Sequence, residues 1–281
     1  MSVVEVKALS YSYSASEVQV LKAVNLRIEK GSFVTLTGPS GCGKTTLCRC
    51  INGLIPHFYG GKIEGEIVIS GMRVQDHEIS ELAKHVGFVF QNPENQLFAL
   101  SVEKDIAFGL ENLALSRKEI QRRVKWAMEV TGVEDLKEKA PYELSGGQQQ
   151  RVAIACVLAM KPKVMILDEP TSFLDPMAAT RLFQVISKLN KRLNLTIILV
   201  EHRLDLLCQY TDRVVVMDEG EIRLDGTPRD VFSSEEAKLL GIGIPKVVRL
   251  HKELKKTGID IGRPPTSTED FNQSLREFLT R

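Results

Sequence analysis

The 281-residue chain has no long apolar run: the longest, residues 152–160, is nine residues, against the roughly twenty a helix needs to cross a bilayer. No segment is expected to span a membrane. Met1-Ser2-Val3-Val4-Glu5 lacks the basic start and apolar core of a secretory leader, which points to the cytoplasm. Nor is there an excess of charge, since 37 basic residues face 36 acidic ones and the net charge is +1. A protein that coats nucleic acid by bulk attraction needs a basic surplus. No nucleic-acid partner is expected, and any anion must be held by a local device. Five cysteines (Cys42, Cys48, Cys50, Cys156 and Cys208) are odd in number and irregularly spaced. That excludes a disulfide framework and a paired CxxC zinc site, and reads as small buried residues in a reducing compartment. What remains is ordinary for a globular protein, 43% hydrophobic and 26% charged, enough for one large domain or one with an appendage.

Along the chain, strand and helix signals alternate. Residues 18–28 are β-rich, Glu29-Lys30-Gly31 is a turn, and residues 32–37 form a short strand running into glycines. Residues 63–70 alternate apolar and polar, as a half-exposed strand does. Ser116-Arg117-Lys118-Glu119 has the form of a capping box, with Ile120, Val124 and Ala127 on one helix face before Gly132. A second helix is expected between Ser145 and Pro162. Residues 164–167 read as a strand buried on both faces, and Asp175-Pro176 opens a helix to about Arg192. Residues 196–200 and 214–218 are further buried strands. The alternation predicts an α/β fold with a largely parallel sheet. After Pro228 come polar helical pieces, the last carrying Phe271, Leu275, Phe278 and Leu279 on one face, suited to dock on the domain or a sister subunit.

The local anion device is Gly38-Pro39-Ser40-Gly41-Cys42-Gly43-Lys44-Thr45, which fits G-x-x-x-x-G-K-[ST] between a strand and an apolar helix. Glycines let the backbone N–H groups turn inward around phosphates, and the helix presents its positive end. Lys44 is placed to reach the β- and γ-phosphates, and the Thr45 hydroxyl to ligate Mg²⁺. Residues 164–167, four apolars, run into Asp168-Glu169. Asp168 then stands at the carboxyl edge of the sheet, suited to hold Mg²⁺ through water, with Glu169 next to it to orient or deprotonate a water. Leu144-Ser145-Gly146-Gly147-Gln148 stands ahead of Asp168. By composition such a string would occur in well under one chain in a thousand. Ser145 caps a helix whose glycine-rich start is a second anion-binding end.

On these residues the sequence resembles the ATP-binding cassette (ABC) ATPases over residues 1 to about 230. The resemblance implies a P-loop NTPase fold: a RecA-like parallel core, an antiparallel β subdomain and an inserted helical subdomain at about 92–160. It divides the chain into a nucleotide-binding domain, 1–232, and a C-terminal helical extension, 233–281. It makes residues 38–45 the Walker A loop, with Thr46 following, Asp168 the end of Walker B, and residues 144–148 the signature. Gln91 matches the Q-loop glutamine that contacts Mg²⁺ and the attacking water, and His202 the switch histidine on the γ-phosphate. Tyr11 and Tyr13 alternate on a strand, and Tyr13 fits the aromatic that stacks on adenine. Ser172-Phe173-Leu174-Asp175 matches the D-loop, with Phe173 in place of the usual small residue, and Glu201 stands where threonine is commoner before the histidine.

Within the family, residues 90–98 followed by 102–109, with Asn52-Gly53-Leu54-Ile55-Pro56 and Ile242-Gly243-Ile244-Pro245, look like the energy-coupling factor type, whose ATPases drive uptake of vitamins or of cobalt and nickel ions. The implied partners are a second ABC ATPase subunit, a transmembrane T component docked near the Q-loop, and a substrate-binding S component. The implied location is peripheral, on the cytoplasmic face of the cell membrane. The signature faces the opposite subunit, so a head-to-tail dimer closing over two ATP molecules is expected, with Ser145, Gly146, Gly147 and Gln148 completing the site in trans. The rival expectation is a soluble cassette ATPase, such as one serving iron–sulfur assembly.

Overall fold

The computed structural model describes residues 1–14, 16 and 18–280. Among the described residues there are ten strands: β1 (Ser2–Ser12), β2 (Leu21–Glu29), β3 (Phe33–Thr37), β4 (Lys62–Ile69), β5 (Met72–Arg73), β6 (Val86–Val89), β7 (Val164–Asp168), β8 (Thr196–Val200), β9 (Arg213–Asp218) and β10 (Glu221–Gly226). Helices of eight residues or more are α1 (Lys44–Ile51), α2 (Val102–Asn112), α3 (Arg117–Thr131), α4 (Gly146–Ala159), α5 (Pro176–Leu193), α6 (Lys246–Lys256) and α7 (Thr268–Leu279).

The strands form two sheets, whose sequences differ as their environments do. One is antiparallel, in the order β2-β1-β4-β5. Along β2, Val24, Leu26 and Ile28 are buried while Ala23, Asn25 and Arg27 are exposed, one face on the core and one in water. The other sheet runs β10-β9-β3-β8-β7-β6, parallel from β9 to β6 with only β10 antiparallel. Every residue of β3, β7 and β8 is buried, because helices cover one face and the antiparallel layer covers the other.

Two cores follow. Beneath the parallel sheet, Ile106 and Leu110 of α2, Ile154 and Leu158 of α4 and Phe183 of α5 pack with Met165, Leu167, Ile197 and Leu199. On the opposite face, α1 is wedged between the sheets, where Leu47 and Ile51 meet Ile166, Ile198 and Val200 as well as Val6 and Leu26. Each such side chain contributes about 1.5–3 kcal/mol by leaving water, which fixes α1 against the sheet. The helical subdomain, α2 to α4, shares the first core with α5. A third cluster joins Val231, Phe232, Ala237, Ile242 and Val248 to Leu204, Val214 and Val216. Residues on both sides of position 232 therefore share one core with β9, the strand next to the β10 edge of the sheet.

Several local expectations need adjustment. The second strand begins at Leu21, not 18. Gly132 ends α3 in the left-handed conformation, φ 66. The box at its start is half made: the Ser116 hydroxyl accepts from the Glu119 amide, but the Glu119 carboxylate turns to Arg122 and Arg123. Two guanidinium groups hold that carboxylate more strongly than one backbone N–H would. On α7, Phe271 is buried, Leu275 and Phe278 are half-buried, and Leu279 is exposed. No helix of the described residues is long and apolar enough to cross a membrane, and the five cysteines are free.

The strand order positions the site. Adjacent strands β3, β8, β7 and β6 release residues 38–45, His202, Asp168-Glu169 and Gln91 from their carboxyl ends. Neighbouring strands lie about 4.8 Å apart, so four distant sequence segments are gathered into a row about 14 Å wide. In open α/β sheets this edge is where ligands bind.

Candidate active site

The phosphate loop connects β3 to α1 through glycines, of which Gly38 and Gly43 combine a positive φ with close packing that leaves no room for a Cβ. Gly38 has φ 143, and a Cβ there would meet the Met217 carbonyl oxygen at 2.0 Å; Gly43, at φ 107, is the N-cap of α1 and brings no side-chain cap. The first amides of α1 are thus left to a ligand. Lys44 is buried, and its ammonium donates to the carbonyls of Gly38 at 2.9 Å and Pro39 at 2.8 Å. The lysine folds back on its own loop, because a buried ammonium must satisfy its donors. Burial pushes the nearby Cys42 thiol up, opposed by Lys44, so the loop cysteine is a packed thiol. A cavity of about 220 Å³ is lined by Ser40, Gly41, Gly43, Lys44, Thr45 and Thr46 and closed on one side by Glu169.

Tyr11 is buried in β1 with its hydroxyl on the Gly60 carbonyl. Tyr13, just past the strand, is half-buried, edge-on to Tyr11, and its hydroxyl shares a 3.1 Å bond with Thr46. Tyr13 therefore borders the loop, and Tyr11 belongs to the core.

The carboxylates divide. Asp168, at the end of β7, is 6% exposed and accepts from the Thr45 hydroxyl at 3.2 Å. Burial pushes its carboxyl above the ordinary range, against the Thr45 bond that lowers it. Glu169 is held in the left-handed conformation, φ 47, a strained position for a side-chain-bearing residue. Its amide donates to the Val200 carbonyl at 3.0 Å. One carboxyl oxygen contacts His202 Nε2 at 3.1 Å; the other accepts from Gln91 Nε2 at 2.9 Å and the Ser172 hydroxyl at 3.1 Å. Sequence reasoning had Ser172 only as part of the D-loop; its place three residues after Glu169, across a tight turn, was the signal for this contact.

Thr45, Asp168 and Gln91 offer hydroxyl, carboxylate and amide oxygens. No cluster of three or more His, Cys, Asp or Glu side chains occurs among the described residues, so no all-protein cage exists. Mg²⁺, which is commonly held by one or two carboxylates with substrate phosphates, fits this donor set.

Residues 145–148 lie elsewhere. The Ser145 amide donates to the Gln148 side chain at 2.9 Å, while the Gln148 amide donates to the Ser145 hydroxyl, a complete capping box. Ser145 and Gly146 are exposed. None of the four lines the phosphate-loop cavity. Gly146 borders a different cavity of about 290 Å³, shared with residues 91–94 and with Phe173, which is 71% exposed.

Comparison with known proteins identifies the family. The ABC transporter family model matches residues 21–172, a span that holds the phosphate loop, Gln91, Ser145 and Glu169. The chain is 46% identical to the Pyrococcus horikoshii protein PH1815 over 260 residues, 92% of each chain. It is 41% identical over 284 residues, 99% of each, to the energy-coupling factor transporter ATP-binding protein EcfA1 of Caldanaerobacter subterraneus. Among solved structures, cbiO1 from Clostridium perfringens, part of the ABC transporter complex cbiONQ, superposes with a TM-score of 0.77 at 37% identity, covering 92% of this chain and 97% of that one. The cassette MJ0796, a dimer in a post-hydrolysis state bound to ADP and Pi, superposes with a TM-score of 0.70 at 32% identity, covering 80% and 99%. The chain belongs to the ABC transporter family and is an ABC ATPase.

Proposed function

We propose that the chain is the ATP-hydrolysing subunit of an energy-coupling factor type importer, peripheral to the cytoplasmic face of the membrane. The observation that carries hydrolysis is the convergence of Gln91, Ser172 and His202 on Glu169, beside the phosphate loop. The importer reading rests on the match to EcfA1 over 99% of both chains.

In this reading the backbone N–H groups of residues 40–46 cradle the phosphates, and Lys44 exchanges the Gly38 and Pro39 carbonyls for phosphate oxygens. Thr45, Asp168 and Gln91 would hold Mg²⁺, which when bound neutralises charge on the β- and γ-phosphates. Tyr13 stacks on adenine, its ring steadied by Thr46. Glu169 orients the attacking water and takes its proton, fixed in place by Gln91 and Ser172. His202 contacts the γ-phosphate while bonded to Glu169. Phosphoryl transfer asks mainly for such positioning and charge neutralisation.

Ser145, Gly146, Gly147 and Gln148 complete the site of a second cassette, in the simplest case another copy of this chain, arranged head to tail. The dimer of MJ0796 supports a paired arrangement. Opening after hydrolysis would pull on a transmembrane T component seated near Gln91, where the 290 Å³ cavity includes Gln150, whose buried side-chain nitrogen has no partner. An S component would supply specificity for a vitamin or a transition-metal ion. Two tests follow. Glu169→Gln should keep ATP binding and lower turnover by about 10²–10⁴-fold; undiminished turnover would remove the base. Affinity purification from detergent extracts should bring down integral membrane proteins, whereas a soluble scaffold would favour iron–sulfur assembly instead.

A further inference from the structure

Glu201, directly before His202, is 2% exposed and has no part in the roles above. A carboxyl buried this deeply is costly unless donors meet it. Here two do. The Thr171 hydroxyl, itself fully buried, bonds Oε1, and the His202 amide donates to Oε2 at 2.9 Å. On the other side of His202, the Arg203 guanidinium donates to the Leu174 carbonyl at 2.8 Å. The two neighbours of the histidine thus grip the two ends of one strap, 171–174, while His202 contacts Glu169, which enters that strap. Glu201 is in turn anchored to the sheet, its amide donating to the Leu36 carbonyl at 3.3 Å. A threonine at 201 would offer one hydroxyl where two carboxyl oxygens now meet separate partners.

Strained residues persist only where their surroundings over-determine them, and Glu169 is such a residue. We propose that Glu201, seconded by Arg203, is a positioning residue for hydrolysis: it ties the strap behind Glu169 to the backbone of His202, so that these two groups keep their contact and the D-loop moves with the switch histidine. The inference rests on Glu169 and His202 carrying the hydrolysis. Burial pushes the Glu201 carboxyl up to about 7, ahead of the His202 amide and the Arg203 charge that lower it and the Glu169 charge that raises it. Protonated, Oε1 donates to Thr171; ionised, it accepts, so the bridge survives in either state.

A double-mutant cycle on the full-length chain tests this, with steady-state hydrolysis and ATP affinity measured for Glu201→Ala, Thr171→Val, the pair together, Glu201→Gln and Glu169→Gln. Glu201→Ala and Thr171→Val should each lower kcat about ten- to a hundredfold with ATP affinity unchanged, and the pair should be no worse than the poorer single variant. Glu201→Gln keeps an acceptor for His202 and a donor for Thr171, and should restore kcat to within about threefold of the parent. Wild-type kcat in both single variants, additive losses, or a Glu201→Gln as slow as Glu201→Ala would overturn the proposal. Should Glu201→Ala not fold, Thr171→Val and Glu201→Gln decide alone. Glu169→Gln separates the two levels: full activity in it would remove the hydrolysis reading whatever the cycle shows.

Discussion

The two glycine-rich helix starts, at α1 and at α4, are built differently although the sequence presents each as an anion-binding end. The start of α1 is buried, has no side-chain cap, and carries a lysine among its own carbonyls with Asp168 and Glu169 beside it. The start of α4 is exposed, closes on itself through Ser145 and Gln148, and has no lysine in its cavity, where Glu94 is the one acidic lining residue. One end has the parts of a phosphate site within the chain. The other, in the proposed function, is a recognition element that meets a nucleotide brought to it by a second cassette.

The largest effect should come from removing the device unique to α1. Lys44→Ala is expected to weaken ATP binding by about 10²–10³-fold, read by calorimetry with Mg²⁺ and ATP; near-native affinity would erase the distinction between the two ends. Ser145→Arg should act the opposite way, leaving ATP affinity within about twofold while suppressing turnover about tenfold or more. Equal losses of binding in the two variants would mean that both ends serve one nucleotide within one chain.

How much of this was legible follows from which forces are local. The phosphate loop, the buried strands β7 and β8 and the caps at Ser145 and Asp175 could be read because glycine conformation, short apolar runs and N-cap chemistry act within a few residues. The antiparallel layer and the helical subdomain came from resemblance. What eluded reading was of two kinds: a choice among competing near neighbours, as in the posture of Lys44 and the Glu119 carboxylate turned to two arginines, and long-range contact, as in the meeting of Gln91 and His202 on Glu169. Glu201 showed only as an unusual neighbour of a histidine, because its partner Thr171 is thirty residues away and meets it through the β7–β8 pairing.

The smallest effect concerns the frame around the α1 site. In the folded chain the Glu201 carboxyl titrates near 7, against an ordinary 4.5, facing Glu169, His202 and Arg203. The unfolded chain therefore gives up this proton first. The contribution is fully present below pH 4.5 and is lost as pH rises through 7. Glu201→Gln removes it, so the melting temperature of the variant relative to the parent should climb between about pH 4.5 and 7 and level off above. Parallel curves across that range would show a carboxyl with an ordinary pKa.

The central claim is that each hydrolytic site is shared between two chains, the α1 end of one and the α4 end of the other. Mixing Lys44→Ala with Ser145→Arg, each strongly impaired alone, tests it most directly. In a head-to-tail mixed dimer both lesions fall in one site and the other site is intact. Hydrolysis should therefore reappear on mixing, approaching about a quarter of the parental rate for random pairing of equal amounts across a two-fold interface. A mixture as impaired as its two components would contradict the shared site.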